Sequence, residues 1–246
     1  MRANTAKRKM MEGHVTFGAG AGLGSTLSAE HLSLAGFDLV LVDLQHGNWD
    51  PERAMVAFRS ICLGLATPMV RVGCNDYYLI GNMLDRGALG VVVPMVNSPE
   101  EAQAAAQATR YPPMGRRSAG PFGTGLYGDD YLQAANEEVF LAVQIETQEA
   151  LDQAEAILST DGVDGCWIGP ADLAFSMGTA FGSAEHEAAI QQILEVCQKV
   201  GKIPGIAAGA DFEQRIRQGF LFVINGSDTS YVLNGAQEAL RVVGRR

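Results

Sequence analysis

The stretch DLVLVDLQHGNWDPE, residues 38–52, contains in order the three parts from which most of the chain is built. It opens with a short β-rich apolar run, Asp38–Val42, and polar residues follow directly, beginning with Asp43. Asp50 then stands where a helix N-cap is expected, with Pro51 at the first helical position. This order of strand, polar loop and helix is the repeating unit of a parallel α/β fold.

The same pattern recurs along the chain. Eight apolar runs read as strands: His14–Phe17, Asp38–Val42, Pro68–Val72, Gly90–Pro94, Phe140–Ile145, Gly165–Ile168, Ile203–Ala207 and Phe220–Ile224. Stretches of helical length separate most of them. Eight such units in 246 residues fit a (β/α)8 TIM barrel better than an open doubly wound sheet, and no dinucleotide-binding glycine motif is present. We therefore predict a single α/β barrel domain over residues 1–246.

The composition narrows the class of protein. The chain has 28 acidic and 18 basic residues, a net charge of −10, so nucleic acid and anionic membranes are not expected partners. No apolar run is long enough to span a membrane, and the basic N-terminus lacks the apolar segment of a secretory signal. The four cysteines are far apart and form no C-x-x-C, which favours a cytoplasmic location.

Polar residues follow six of the predicted strands at the ends where barrel enzymes carry their chemistry. These are Asp43 and His46, Arg71, Asn97, Gln144 and Glu146, Asp172, and Asn225 with Asp228. Taken singly, Asp172 and Glu146 could serve only in the first turn of a helix, and His46 could be an ordinary loop histidine. Together, two carboxylates, a histidine and an arginine predict a site for a divalent cation and an anionic substrate.

Two further features, a glycine-rich run and a pair of arginines, are each open to two interpretations, and the positions of the lysines bear on the mechanism. The glycine-rich run 18–22 is either a phosphate loop or a plain tight loop, the latter being favoured. The pair Arg116 and Arg117 forms either a solvated turn or a clamp for a distal carboxylate, within the irregular stretch 111–136. Lysines such as Lys7, Lys9 and Lys202 lie away from the strand ends, which disfavours a Schiff-base mechanism.

Several ordered motifs resemble the HpcH/HpaI aldolase family. The segments are Asp38–Gly47, Gly90–Asn97, Arg110–Arg117, Gln144–Thr147 and Gly162–Leu173, and the resemblance extends from about residue 36 to residue 228. It implies a (β/α)8 barrel that acts as a metal-dependent class II pyruvate aldolase of the 4-hydroxy-2-oxoheptanedioate type, an activity of aromatic catabolism. Such an enzyme reversibly cleaves 4-hydroxy-2-oxo acids to pyruvate and an aldehyde through a metal-bound pyruvate enolate.

The resemblance also implies roles for individual residues and an assembly. Glu146 and Asp172 would hold the metal (Mg²⁺, Mn²⁺ or Co²⁺), Arg71 the keto acid, and His46 with Asp43 would transfer the proton. Asp85 matches an acid associated with the histidine site, and Gln144 a polar group near the metal. Backbone groups of Gly169, Pro170, Ala171 and Asp172 would receive the substrate carboxylate. The family is often a homo-hexamer, a trimer of dimers, in which the C-terminal helix, here 228–243, is exchanged between subunits.

Two departures from the family pattern bear on selectivity. Gln45 stands where relatives often have glutamate, and residues 18–20 lack the aromatic residue that relatives often place after the first strand. The second departure predicts a wider pocket and broad aldehyde tolerance. Two alternative activities remain: a 2-keto-3-deoxy sugar-acid aldolase of the same family, and an acyl-CoA lyase of the citrate lyase β type, for which the sequence offers no nucleotide-binding feature.

Overall fold

A computed structural model describes residues 1–120 and 122–244, and in it eight parallel strands close into a barrel in sequence order. The strands are β1 (Thr16–Ala21), β2 (Leu39–Asp43), β3 (Thr67–Arg71), β4 (Gly90–Val93), β5 (Phe140–Ile145), β6 (Gly165–Ile168), β7 (Gly205–Ala208) and β8 (Phe222–Ser227). The predicted (β/α)8 barrel is confirmed.

Twelve α-helices occur in the described part of the chain. They are α1 (Thr5–Met11), α2 (Thr26–Leu34), α3 (Pro51–Ile61), α4 (Tyr77–Asp85), α5 (Pro99–Thr109), α6 (Tyr131–Glu138), α7 (Gln148–Asp152), α8 (Ala154–Leu158), α9 (Pro170–Met177), α10 (Ala184–Val200), α11 (Phe212–Gln218) and α12 (Asp228–Val242). Across the described residues, none of these helices combines the length and apolar character that crossing a membrane requires.

Side-chain caps fix where many of these helices begin. Asp50 accepts a hydrogen bond from the Arg53 N–H at 2.9 Å, and Asp76 accepts one from the Leu79 N–H at 2.9 Å. Each such cap satisfies one of the N–H groups that a helix leaves free in its first turn and contributes about 1 kcal/mol. The caps therefore set where each helix starts relative to the strand before it.

The barrel has one apolar core inside the strands and another between the strands and the helices. Inside, Phe140 meets Phe222 edge to face with ring centroids 5.6 Å apart. Helix α1 closes the end where the strands begin, and its Ala6 and Met10 join the inner cluster. Since the interior is filled, reactants can reach only the opposite rim, where the strands end.

Residues 18–21 of the glycine-rich run belong to a strand, and of this run only Gly22 lies in the loop that follows, so interpreting the whole run as a loop was wrong. Strand β1 continues to Ala21, and Gly18 lies where a Cβ would be 2.4 Å from Ile224 Cδ1 and 2.5 Å from Leu39 Cδ1. Glycine is required there by close packing inside the barrel, which a sequence pattern alone cannot distinguish from a loop.

The helices depart from the sequence pattern at two places. Helix α6 begins inside the stretch 111–136, which was expected to be irregular, and ends at Glu138. The stretch 147–159 has the length and pattern typical of one helix, but it is broken at Gln153 into α7 and α8.

Helix α12 does not cover its own barrel in the usual way. Asp228 is its only buried residue, and every described residue from Tyr231 to Gly244 is exposed. Leucines and valines on this helix, including Leu233 and Val242, are exposed by 56% and 78%. An amphipathic helix left uncovered in this way is suited to packing on another surface.

Candidate active site

The first part of the site joins two neighbouring strand ends. Asp43 and Arg71 lie opposite each other in the β2–β3 register, and Arg71 Nε donates to Asp43 Oδ1 at 2.8 Å while its Nη2 donates to Oδ2. The N–H groups of Gln45 and His46 also donate to Asp43, at 3.1 and 3.3 Å. Burial alone raises the pKa of Asp43, but Arg71 and these N–H groups outweigh it and hold the pKa below its usual value.

The guanidinium of Arg71 also lies over an aromatic ring from across the barrel. Its Cζ is 5.3 Å from the centroid of Trp167, an arrangement that fixes the guanidinium plane. Trp167 lies on β6, two residues before Gly169, and its indole N–H is buried and has no hydrogen-bond partner among the described residues. The sequence does not indicate this role, because it depends on how β3 and β6 face each other across the barrel.

The second part of the site is Glu146, which follows β5 directly and is 1% exposed. Its Oε1 accepts from the Met95 N–H at 2.9 Å, and Gln144 Nε2 donates to its Oε2. Burial raises the pKa of Glu146; the nearby Asp172 adds to the rise, and the Met95 N–H and Arg71 oppose it. Glu146, Asp172 and Arg71 are therefore close enough to act on one another.

Met95 was not predicted as part of the site. It has a φ of 55°, the only positive φ of a non-glycine residue in the described ranges. This left-handed conformation costs about 1–2 kcal/mol and directs the Met95 N–H at Glu146. Strained backbone of this kind clusters at functional sites, and no sequence signal predicts it for a methionine.

The turn after β6 brings backbone against the Glu146 carboxylate. A Cβ at Gly169 would lie 2.5 Å from Glu146 Oε2 and 2.8 Å from Gln144 Nε2, so any larger residue would have to displace these two side chains. Helix α9 begins directly afterwards without a side-chain cap. The first-turn N–H groups of Ala171 and Asp172 thus have no partner within the helix, and they form a donor pair suited to a carboxylate.

His46 lies on the exposed loop between β2 and α3. Asp43 was expected to stand behind the imidazole. In the structure the Asp43 carboxylate contacts Arg71 and the backbone N–H of His46, and no hydrogen bond joins it to the ring within the described residues. The loop itself holds His46 at the rim.

Asp85 is not brought to this rim by its own chain. It ends α4, just before β4 begins, and accepts from Arg117 Nη2 at 2.7 Å. The Arg117 guanidinium is buried and lies over the rings of Tyr111 and Tyr131, at 4.4 and 5.7 Å. Arg117 therefore clamps a carboxylate, as one interpretation held, but the carboxylate belongs to Asp85.

The residues at the rim fit a hard divalent cation that has few protein ligands. No group of three or more His, Cys, Asp or Glu arranged to hold a metal occurs within residues 1–120 and 122–244. Glu146 and Asp172 form a two-carboxylate set, and the neighbouring Gln144 Oε1 is buried and has no hydrogen-bond partner in the part of the chain that the structure describes. Oxygen ligands suit Mg²⁺ or Mn²⁺, and two protein ligands leave most positions for substrate and water oxygens.

The chain is similar in sequence to proteins of one family. A family model described as HpcH/HpaI aldolase/citrate lyase matches residues 21–235. The 4-hydroxy-2-oxo-heptane-1,7-dioate aldolase of Escherichia coli is 38% identical over 243 residues, which cover 95% of this chain and 92% of that protein.

Solved structures give the same result. A crystal structure of a HpcH/HpaI aldolase/citrate lyase family protein from Burkholderia cenocepacia has a TM-score of 0.92 and 31% identity, covering 98% of this chain and 99% of that one. The citrate synthase SbnG has a TM-score of 0.87 and 26% identity, covering 98% of both chains. With its barrel, its rim carboxylates and these relatives, the chain belongs to the HpcH/HpaI aldolase/citrate lyase family and is an aldehyde-lyase.

Proposed function

We propose that the protein cleaves 4-hydroxy-2-oxo acids reversibly to pyruvate and an aldehyde, with a divalent cation (Mg²⁺, Mn²⁺ or Co²⁺) held by Glu146 and Asp172. The observation that carries the proposal is the buried Glu146 carboxylate, placed beside Asp172 and Arg71 and against the Gly169 backbone. A cation bound there supplies Lewis-acid stabilisation of the negative charge that develops on the keto acid.

The remaining groups of the keto acid have partners in the chain. The free N–H groups of Ala171 and Asp172 receive its carboxylate, with Gly169 and Pro170 shaping the turn. The Arg71 guanidinium, held by Asp43 and Trp167, donates to the keto oxygen as charge builds there. Because this donor is already fixed before the reaction, it acts as one member of an oxyanion hole.

His46 takes the proton from the C4 hydroxyl as the C3–C4 bond breaks. Histidine is the side chain that most often accepts or donates a proton in such steps. The absence of an aromatic side chain from the end of β1 leaves room for bulky as well as short aldehydes. An acyl-CoA substrate is not favoured, since the rim described above offers no site for a nucleotide.

The test compares two reactions, aldol cleavage and oxaloacetate decarboxylation, in which negative charge develops on the same part of the keto acid. Oxaloacetate decarboxylation also places negative charge on the keto acid, but it has no C4 hydroxyl to deprotonate. We expect Arg71→Ala to slow both reactions and His46→Ala to slow only cleavage, by about 10²–10⁴. Exhaustive chelation should abolish both, and Glu146→Ala should fold but fail to bind Mn²⁺ in a direct titration.

Three results would contradict the proposal. Full cleavage activity in chelator would exclude the metal, and equal loss of both reactions in His46→Ala would exclude its assigned role. Preferential turnover of 2-keto-3-deoxy sugar acids over simple 4-hydroxy-2-oxo acids would favour the sugar-acid aldolase instead.

The exposed helix α12 supports a proposal about assembly. Its uncovered apolar residues are consistent with exchange of the helix between two copies, and with the hexameric arrangement of three dimers implied by the family resemblance. Asp85, which lies away from the rim of its own barrel, would act on His46 only if a second copy brought it there.

A further inference from the structure

The loop that carries His46 is fastened to the end of β1. The Asn48 N–H donates to the Gly22 carbonyl at 2.8 Å, and the indole N–H of Trp49 donates to the Ala21 carbonyl at 2.7 Å. Both bonds lie within three residues of His46. The position of His46 thus depends on where residues 21 and 22 are held.

The two segments also touch through their backbones. A Cβ at Gly47 would lie 3.1 Å from the Gly22 Cα, and a Cβ at Gly24 would lie 2.1 Å from the Asn48 carbonyl oxygen. Because the two backbones are packed this closely, the β1–α2 loop cannot shift without also moving the loop that carries His46.

Asp228 in turn holds the β1–α2 loop. Its side chain is almost fully buried, and Oδ1 accepts from the Gly22 N–H at 2.9 Å. Oδ2 accepts from the Leu23 N–H at 3.2 Å and from the Ser28 hydroxyl at 2.6 Å. Hydrogen bonds to a charged acceptor are about twice as strong as neutral ones.

These bonds are not needed to begin α12. Its cap is Ser227, which accepts from the Ser230 N–H while the Ser230 hydroxyl accepts from the Ser227 N–H. Within the helix, Asp228 accepts only from the adjacent Thr229 N–H, at 2.9 Å. Most of the hydrogen-bonding capacity of Asp228 is directed at the loop after β1.

We propose that Asp228 is a positioning residue for His46, acting through Gly22 and Leu23 on the loop that Asn48 and Trp49 fasten. The inference rests on the proposed role of His46 as proton acceptor for the C4 hydroxyl. A displacement of about 1 Å at a catalytic group can cost on the order of 10²-fold in rate. Asp228 therefore contributes to cleavage without touching the substrate.

The experiment measures kcat for cleavage and for oxaloacetate decarboxylation in four proteins: wild type, Asp228→Ala, His46→Ala and the double variant. We expect Asp228→Ala to slow cleavage by roughly 10- to 100-fold and to leave decarboxylation nearly unchanged. The double variant should be no slower in cleavage than His46→Ala, because both substitutions act through the same imidazole.

A second measurement does not depend on activity. In the metal-free protein, the ring resonances of His46, assigned from their loss in His46→Ala, should shift or broaden in Asp228→Ala. Asp228→Asn keeps an oxygen for the Gly22 and Leu23 N–H groups, so it should restore the ring signals and most of the cleavage rate. If Asp228→Ala does not fold, Ser28→Ala replaces it in the test. This substitution removes one hydrogen bond to the same carboxylate, so it should also slow cleavage more than decarboxylation, but by a smaller factor.

The matched control is Asp76→Ala, which removes the cap of α4 but touches neither loop. It should lower the melting temperature without changing the ratio of the two reactions. Equal slowing of both reactions by Asp228→Ala, or a double variant slowed by the product of the single effects, would overturn the inference. Unshifted His46 signals in Asp228→Ala would overturn it independently. Normal cleavage by His46→Ala would instead refute the proposed role of His46.

Discussion

At Gly169, a single methyl group would reach the carboxylate that is proposed to hold the cation. Because the added Cβ would lie 2.5 Å from Glu146 Oε2, Gly169→Ala should displace Glu146 and weaken Mn²⁺ binding by at least about tenfold, or ~1.4 kcal/mol. Gly209→Ala is the control, since nothing lies within 4 Å of its Cβ position. Mn²⁺ titration of both variants checks the expectation, and equal affinities would show that the carboxylate adjusts freely.

Single residues also mark the limit of what the sequence could predict about the site. Glu146, Asp172, Arg71 and His46 each lie at the end of an apolar run or shortly after it, so their shared rim follows from strand order once a barrel is assumed. The left-handed Met95 and the unpaired Trp167 N–H gave no such signal. Both depend on how elements distant in sequence pack together, and local patterns contain no information about that.

Among the elements, α1 shows how a helix missed by sequence reasoning contributes to the barrel. Lys7 on this helix is almost fully buried, and its Nζ donates to the carbonyls of Glu137 and Val139 at 2.7 and 2.9 Å and pairs with Asp164 at 3.0 Å. Burial lowers the pKa of Lys7, and Asp164 opposes that shift. The helix is only seven residues long, too short for its periodicity to be recognised.

We expect Lys7→Met to lower the free energy of unfolding by about 1–3 kcal/mol, because it removes the hydrogen bonds of a buried ammonium to the Glu137 and Val139 carbonyls together with its ion pair to Asp164. Lys9→Met is the matched control on the same helix. Its ammonium is 38% exposed and pairs with Asp38 at 2.8 Å, so its loss should cost about 0–1 kcal/mol. Urea unfolding of both variants measures these losses in the free energy of unfolding. Similar losses in the two variants would mean that the buried contacts of Lys7 add nothing to stability.

The eight strands were predicted to within a few residues, because buried parallel strands are short apolar runs bounded by turn residues. The boundaries of β1 and β8 were less accurate. β1 continues through Gly18–Ala21 and β8 through Asn225–Ser227, and such glycine and polar residues normally signal loops.

At the scale of the whole molecule, α12 is the helix that is left largely uncovered, since every described residue from Tyr231 to Gly244 is exposed. If it packs on a second copy, Leu233→Asp combined with Leu240→Asp should reduce the assembly to a smaller species, because both leucines are exposed on one face of the helix, at 56% and 40%. Light scattering after size exclusion gives the mass of each species. Asn234→Asp adds a charge at an exposed position of the same helix, about 100° around the helix axis from Leu233, and should leave the mass unchanged. An unaltered mass in the double variant would refute the exchange.

The junction at Asp228 has a consequence for how the enzyme behaves in a dilute solution. This residue fixes the rim loop after β1, and the helix that begins at it, α12, has its apolar residues exposed. If α12 packs on a second copy, a subunit that dissociates leaves this helix unsupported, and fraying can then reach the loop beside His46. Specific activity should therefore fall when the protein is diluted below the dissociation constant of the assembly, and return with a lag that shortens as concentration is raised.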